Sequence, residues 1–92
     1  MSYKLLYLPR VLKDLRKLDP SIRNAVRKAL ERIVSDPLLG KPLLYSLKGY
    51  YSFRTSSYRI IYTIRKKELV ILVVAVGHRR EVYEALRKLL RK

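Results

Sequence analysis

The chain contains no cysteine and only one histidine among its 92 residues. Disulfides and thiolate metal sites are therefore excluded, and a single histidine cannot build a zinc site. No acidic residue occurs from Pro37 to Lys67, so this stretch offers no carboxylate pair for magnesium, and a glycine-rich nucleotide loop is also missing. We expect a protein that uses neither a metal nor a cofactor.

Long hydrophobic runs are lacking as well. The longest strictly apolar stretch runs from Leu69 to Val76, whereas a membrane-spanning helix needs roughly 20 residues. The first four residues do not have the layout of a secretory signal, and no amphipathic membrane-binding helix or lipid-anchor motif stands out. These features predict a soluble cytoplasmic protein with no membrane partner.

Positive charge is abundant. Lysine and arginine number 22 against 7 acidic residues, which gives a formal net charge of +15. Such a charge destabilises a compact fold by self-repulsion unless a polyanion compensates for it. Since the acid-free stretch from Pro37 to Lys67 carries many of the cations, the composition favours a nucleic-acid partner that contacts this part of the chain.

Hydrophobic periodicity predicts the order β-α-α-β-β-β-α in a single domain over residues 1–92. The predicted elements are a strand over 2–8, helices over 9–18 and 20–34, an irregular connector over 37–48, strands over 50–55, 58–65 and 69–76, and a helix over 80–90. We expect an α+β fold, in which a mostly antiparallel sheet packs against an N-terminal helical hairpin and is followed by a C-terminal helix. The other face of the sheet is left for function.

The arginine in the predicted strand over 58–65, which lies in the middle of the predicted sheet, is the first candidate for chemistry. Arg59 is flanked by strands, so its side chain is partly desolvated, and its planar guanidinium suits a phosphate. Arg54 lies one strand earlier and is expected near Arg59 across the hairpin. The alternative is an ordinary structural ion pair or a solvated sheet face.

The segment from Val76 to Tyr83 joins the last strand to the last helix, and such junctions are natural anion sites. Histidine is the usual side chain for proton transfer near neutral pH, so His78 is the default candidate for that role, although a lone histidine is more often an ordinary surface residue. Tyr83 is a candidate for stacking on an RNA base. Further phosphate-binding candidates are Lys48, Arg54, Arg65 and Arg80.

RNA cleavage without a metal requires a particular arrangement of groups. The ribose 2′-hydroxyl must be held in line with its own phosphate, and cations must stabilise the charge that develops. Arginines can supply much of that stabilisation.

Four stretches of the sequence resemble the RelE/ParE toxin superfamily. They are Leu47-Lys48-Gly49, residues 51–54 (Tyr-Ser-Phe-Arg), residues 58–62 (Tyr-Arg-Ile-Ile-Tyr) and residues 76–83 (Val-Gly-His-Arg-Arg-Glu-Val-Tyr). The resemblance implies a toxin that cuts messenger RNA at the ribosomal A site, leaves a cyclic phosphate, and is silenced by a cognate RelB-like antitoxin. It does not indicate the oligomeric state of the free toxin.

The resemblance also implies roles for individual residues. Arg59 matches an arginine that binds the scissile phosphate, Arg54 a basic strand position, Arg79 an arginine after the Val-Gly turn, and Tyr83 a tyrosine that orients the substrate. Two family lysines, one of them implicated as the general base, are replaced by Tyr50 and Ser52. Two hypotheses for the base follow, His78 or Lys48.

The sequence is also compatible with two other functions. A ParE-like inhibitor of DNA gyrase would share the fold but lack the ribonuclease site. A member of the same fold that binds RNA without cleaving it would use the charge for affinity alone.

Overall fold

The computed structural model describes residues 3–91. In order, the helices and strands are β1 (Lys4–Tyr7), α1 (Pro9–Arg16), α2 (Pro20–Ser35), β2 (Lys41–Pro42), β3 (Tyr50–Thr55), β4 (Tyr58–Arg65), β5 (Val70–His78) and α3 (Arg79–Leu90). The strands of this part of the chain form one sheet in the order β1-β5-β4-β3-β2. Only the β1–β5 pairing is parallel, which confirms the predicted α+β fold with a mostly antiparallel sheet.

The helices of the N-terminal hairpin begin at the two prolines, as the sequence predicted. Pro9 and Pro20 each occupy the first turn of a helix, where a missing backbone N–H is tolerated. Its three-residue loop is stabilised by Arg23, whose guanidinium donates hydrogen bonds to three carbonyl oxygens at the end of α1 and in the loop. The hairpin therefore has a fixed geometry as it packs on the sheet.

Both faces of the sheet are covered. The hairpin packs on one face around a core that includes Val11, Ile33 and Ile60, which we call the hairpin core. On the other face, α3 packs Val82 and Leu86 against the sheet, which we call the α3 core. This differs from the expectation that the second face is free. The apolar side of the C-terminal helix needs a surface to bury, so only the part of that face beyond α3 remains open.

A β-bulge interrupts the pairing of β4 with β5. Ile61 lies opposite Ala75 and Tyr62 lies opposite Val73, so Val74 has no partner in β4. Val74 and Ala75 both pack in the α3 core as a result. The alternation of side chains therefore changes phase at this point, and every residue of β5 beyond it points to the opposite face from the one that strict alternation predicts.

The connector over 37–48 is more ordered than its composition predicted. It contains two short 3₁₀ turns, Pro37–Leu39 and Tyr45–Leu47, and the edge strand β2. The Leu43 N–H donates a hydrogen bond to the carbonyl oxygen of Tyr50, 2.9 Å away. The expectation of an irregular segment was wrong because contacts with distant residues, rather than local propensity, order this backbone.

The boundaries of other elements shift slightly. Ser2, the first residue of the predicted opening strand, lies outside the described residues, while β5 extends to His78 and α3 begins one residue earlier than predicted. No helix within residues 3–91 is both long enough and apolar enough to cross a membrane.

The buried side chain of Tyr62 anchors the start of the connector. Its hydroxyl donates a hydrogen bond to the Pro37 carbonyl oxygen at 2.7 Å and accepts one from the Gly40 N–H at 2.9 Å. A Cβ on Gly40 would lie only 2.6 Å from that hydroxyl oxygen, so the approach requires glycine. The ring also stacks on Tyr51, with 5.5 Å between centroids.

Replacing Tyr62 with Phe is expected to lower the free energy of unfolding by about 1–3 kcal/mol, because the Gly40 N–H and Pro37 carbonyl lose their partner. Tyr51→Phe is the matched control, since the hydroxyl of Tyr51 makes no protein hydrogen bond within the described residues. Urea unfolding measures both. Equal effects of the two substitutions would contradict the anchoring role.

Ionisation of the Tyr62 hydroxyl, which the fold buries, is expected to lower the stability of the protein at alkaline pH. Burial raises the pKa of its hydroxyl above the ordinary 10.0, while the Gly40 N–H lowers it and the neighbouring Tyr51 and Asp36 raise it. Below about pH 10 the hydroxyl is neutral in both states, but above it the unfolded chain ionises first and stability falls. The difference in unfolding free energy between wild type and Tyr62→Phe should therefore narrow above about pH 10. A constant difference would contradict this.

Candidate nucleic-acid cleft

A cleft of about 480 Å³ opens between the connector, β3, β4 and α3. Its volume lies within the range typical of ligand sites. We call it the basic cleft, and its lining residues are Lys41, residues 42–47, Ser52, Arg59, Arg79, Tyr83 and Arg87. Four of these residues are cations and none is acidic, so the cleft is suited to an anion.

The strands supply Arg59 to the lining of this cleft. It is half-buried in β4, and its neighbours across the sheet are Arg54 in β3 and Gly77 in β5. Because Ile61, two residues further along β4, packs in the α3 core, Arg59 points to the same face. The adjacency of Arg54 and Arg59 that the hairpin predicted is confirmed.

The helix α3 supplies the opposite wall. Arg79, Tyr83 and Arg87 follow one another at intervals of four residues, so they lie on one side of the helix. The Tyr83 hydroxyl donates a hydrogen bond to Ser52 Oγ at 3.2 Å, and Ser52 is only 7% exposed. This contact ties the helix to β3 and fixes the position of the tyrosine ring.

The charge of the cleft is not neutralised by the protein. Within residues 3–91 the ion pair that forms joins Arg27 to Glu31 on the outer surface of α2, at 3.6 Å. Arg59, Arg79 and Arg87 make no salt bridge in this part of the chain. Arginines that converge without a carboxylate partner favour binding of a phosphate, which their guanidinium groups contact bidentately.

The structure does not bring His78 into the basic cleft. Its imidazole packs on Tyr58, with 4.4 Å between ring centroids, and it lines a second depression between α1 and α3. Tyr58 packs against the hairpin core, so the pair belongs to the opposite face of the sheet from Arg59. Three acidic side chains, Asp14, Glu81 and Glu84, line that second depression.

The other candidates lie outside the lining of the cleft. Arg54 is exposed directly opposite Arg59, and Lys48 is exposed after the second 3₁₀ turn. Arg80 is exposed on α3. Arg65 lies at the far end of β4, about 20 Å from Arg59 for six residues of extended strand.

The sequence reasoning assigned no role to Lys41, residues 42–46 or Arg87, which also line the cleft. Arg87 could have been found from the sequence, because it follows Tyr83 by the same four residues that separate Tyr83 from Arg79 on the predicted helix. Lys41 lies directly opposite Ser52 in the pairing of β2 with β3, which places both at the cleft. No local signal marked Lys41, because the strand that carries it was not predicted, whereas the family resemblance had marked Ser52 as the position of a lysine.

No cluster of three or more metal-ligating side chains forms within residues 3–91. Burial raises the pKa of Tyr7, which packs against the hairpin core, away from the basic cleft.

Comparisons with known proteins agree with this architecture. Residues 5–83 match the family model of the ParE toxin of type II toxin-antitoxin systems. The mRNA interferase toxin RelE of Escherichia coli is 34% identical, covering 98% of this chain and 100% of that protein. A mutant of the E. coli toxin RelE in the free state superposes with a TM-score of 0.80 at 29% identity, covering 99% of this chain and 100% of that one.

A RelBE toxin-antitoxin complex from Mycobacterium tuberculosis contains a similar chain. The TM-score is 0.78 at 33% identity, and the match covers 86% of this chain and 100% of that one. The family match extends over most of the sequence, and the relatives are spanned over their whole length. The chain therefore belongs to the RelE/ParE superfamily of toxins from type II toxin-antitoxin systems.

Proposed function

We propose that this protein is a toxin that cleaves messenger RNA at the ribosomal A site and is neutralised by a cognate RelB-like antitoxin in the cytoplasm. The observation that carries the proposal is the basic cleft, where four cations converge beside Tyr83 without an acidic neighbour. The similarity to E. coli RelE, named an mRNA interferase, and to the toxin of a RelBE complex supports it.

The reaction proposed is an internal transfer of the phosphoryl group. The 2′-oxygen of a ribose attacks the adjacent phosphorus, the bond from phosphorus to the 5′-oxygen breaks, and a 2′,3′-cyclic phosphate and a 5′-hydroxyl result. One proton leaves the 2′-hydroxyl and one is delivered to the departing 5′-oxygen. The negative charge on the phosphate oxygens increases as the new bond forms, so preorganised cations lower the barrier.

Arg59 and Arg79 are the residues assigned to the phosphate. They approach from the sheet and from α3, so they contact different oxygens of one phosphate group and fix its orientation. Arg87 extends the positive wall towards the neighbouring nucleotide. Tyr83, held by Ser52, presents its ring to the base or ribose next to the scissile bond.

Lys41 is our candidate for proton transfer. The two hypotheses from the sequence, His78 and Lys48, concern side chains outside the lining of the cleft, whereas Lys41 lines it. Its strand partner is Ser52, the position where the family resemblance implies a lysine. Lys41 in β2 would thus supply the amino group that a lysine at position 52 in β3 supplies in the family pattern.

Arg59→Ala is expected to lower the cleavage rate by roughly 100- to 1,000-fold and to restore growth to cells that overexpress the toxin, because a preorganised charge at the phosphate is lost. Primer extension on messenger RNA from those cells measures cleavage. Arg65→Ala, on the same strand but far from the cleft, is the matched control and should remain toxic.

Two outcomes would contradict this assignment. If Arg59→Ala remains fully toxic, or if Arg65→Ala has the larger effect, the site is misplaced. A wild-type protein that leaves messenger RNA intact but blocks DNA supercoiling by gyrase would instead be a ParE-type inhibitor; the matching family model carries the name of the ParE toxin.

Lys41 is tested by two substitutions that separate charge from proton transfer. Lys41→Arg keeps the cation but cannot release a proton near neutral pH, whereas Lys41→Ala removes both. A role in proton transfer predicts that both variants lose kcat to a similar extent and that the pH-rate profile loses one limb. If Lys41→Arg keeps its activity, Lys41 contributes only its positive charge. If His78→Ala loses cleavage, His78 rather than Lys41 transfers the proton.

A further inference from the structure

The connector presents two large apolar side chains to solvent at the mouth of the basic cleft. Leu44 is 66% exposed and Tyr45 is 91% exposed. The residues on either side, Leu43 and Leu47, pack against the α3 core. The segment is therefore fixed at both ends, and its tip carries an aromatic ring that the fold itself does not bury.

The backbone holds Tyr45 in an unfavourable conformation. Its φ is +57°, in the left-handed region that bulky L-residues rarely adopt and that glycine or asparagine adopts more easily. The conformation is maintained by two hydrogen bonds, from the Leu47 N–H to the Leu44 carbonyl and from the Lys48 N–H to the Tyr45 carbonyl, both 3.1 Å. A tyrosine at this position stabilises neither the turn nor the core.

Its location relates Tyr45 to the substrate. Tyr45 lines the same cleft as Arg59 and Arg79, and it stands on the connector, opposite the wall formed by Tyr83 on α3. A nucleotide whose phosphate is bound by the arginines carries its base away from them, towards the rim. Aromatic side chains at a basic groove are typical platforms for unpaired bases.

We propose that Tyr45 is an RNA-binding residue, on which a base beside the bound phosphate stacks. The inference rests on the proposed ribonuclease function and deepens it by giving the basic cleft a second, base-contacting side. Tyr83 and Tyr45 then contact different nucleotides of one single strand, so the cleft binds an unpaired RNA segment. Since stacking strength differs between bases, Tyr45 contributes to sequence preference.

An exposed aromatic residue is also a possible contact for a protein partner, including an antitoxin. The charge around Tyr45 favours RNA, because the cleft lining contributes four cations and no acid. Binding of an antitoxin peptide to Tyr45 is therefore the alternative that the experiment must distinguish from RNA binding.

The experiment measures RNA binding by the full-length toxin. The probe is a single-stranded oligonucleotide of about ten nucleotides with 2′-O-methyl groups, which block the attacking hydroxyl. It carries 2-aminopurine at successive positions, and a second series carries an abasic nucleotide at the same positions. The variants are Tyr45→Ala, Tyr45→Phe, Arg59→Ala and the control Leu38→Ala, which removes an apolar side chain that is 65% exposed away from the cleft.

We expect wild-type toxin to quench 2-aminopurine at one position near the bound phosphate, and Tyr45→Ala to lose that quenching. Tyr45→Ala should weaken the binding of base-bearing RNA by roughly 5- to 150-fold, as expected for the loss of one stacked base. Tyr45→Phe and Leu38→Ala should bind like the wild type. RNA that is abasic at the stacked position should bind to the wild type and to Tyr45→Ala with equal affinity.

Failures of the two proposals give different results. If Arg59→Ala weakens binding but Tyr45→Ala does not, only the stacking role of Tyr45 is overturned. The same holds if Tyr45→Ala weakens binding of an antitoxin peptide and leaves RNA binding unchanged. If neither Arg59→Ala nor Tyr45→Ala changes RNA affinity, the basic cleft is not the RNA site, and both proposals fail.

Discussion

The pair of hydrogen bonds made by the Tyr62 hydroxyl is the constraint on which the cleft depends. Tyr62 is buried in the middle of the sheet, and it binds the connector at Pro37 and Gly40. From that point the chain passes along the outer edge of β3, where β2 pairs, and reaches the face covered by α3. This anchor fixes the start of the connector, while the pairing of β2 with β3 and the packing of Leu43 and Leu47 on the α3 core fix the rest, so that the connector forms one wall of the cleft.

The hairpin core and the α3 core lie on opposite faces of the sheet and differ in size. The hairpin core contains most of the buried aliphatic side chains and accounts for the larger part of the hydrophobic stabilisation. The α3 core is smaller, and it leaves room beside it for charged side chains that would be costly to bury. Arg59 therefore stands on a rigid sheet, Arg79 and Arg87 stand on the helix packed against it, and none of the three side chains is fully buried.

Sequence reasoning reached the fold because its signals are local. Apolar spacing located α1, α2 and α3, and the short turn between β3 and β4 placed Arg54 beside Arg59. It failed where long-range contacts decide the outcome. The path of residues 37–48 follows from Tyr62, more than twenty positions away in sequence, so Lys41 went unnoticed. His78 was expected beside the arginines, and the bulge at Val74 is the reason that it is not.

The bulge carries a consequence for how such proteins can diversify. Strict alternation along β5 from Val73 would put His78 on the face of Arg59, and the one extra residue in the strand turns it away towards Tyr58. Deletion of the extra residue would restore regular pairing and leave His78 opposite Tyr58, whereas an insertion or deletion of one residue between Ala75 and His78 would move the histidine to the face of Arg59 while the sheet and both helical layers stayed in place. Insertions and deletions of one residue in this last part of β5 are thus a route by which a lineage can move between histidine-bearing and histidine-free versions of the same cleft.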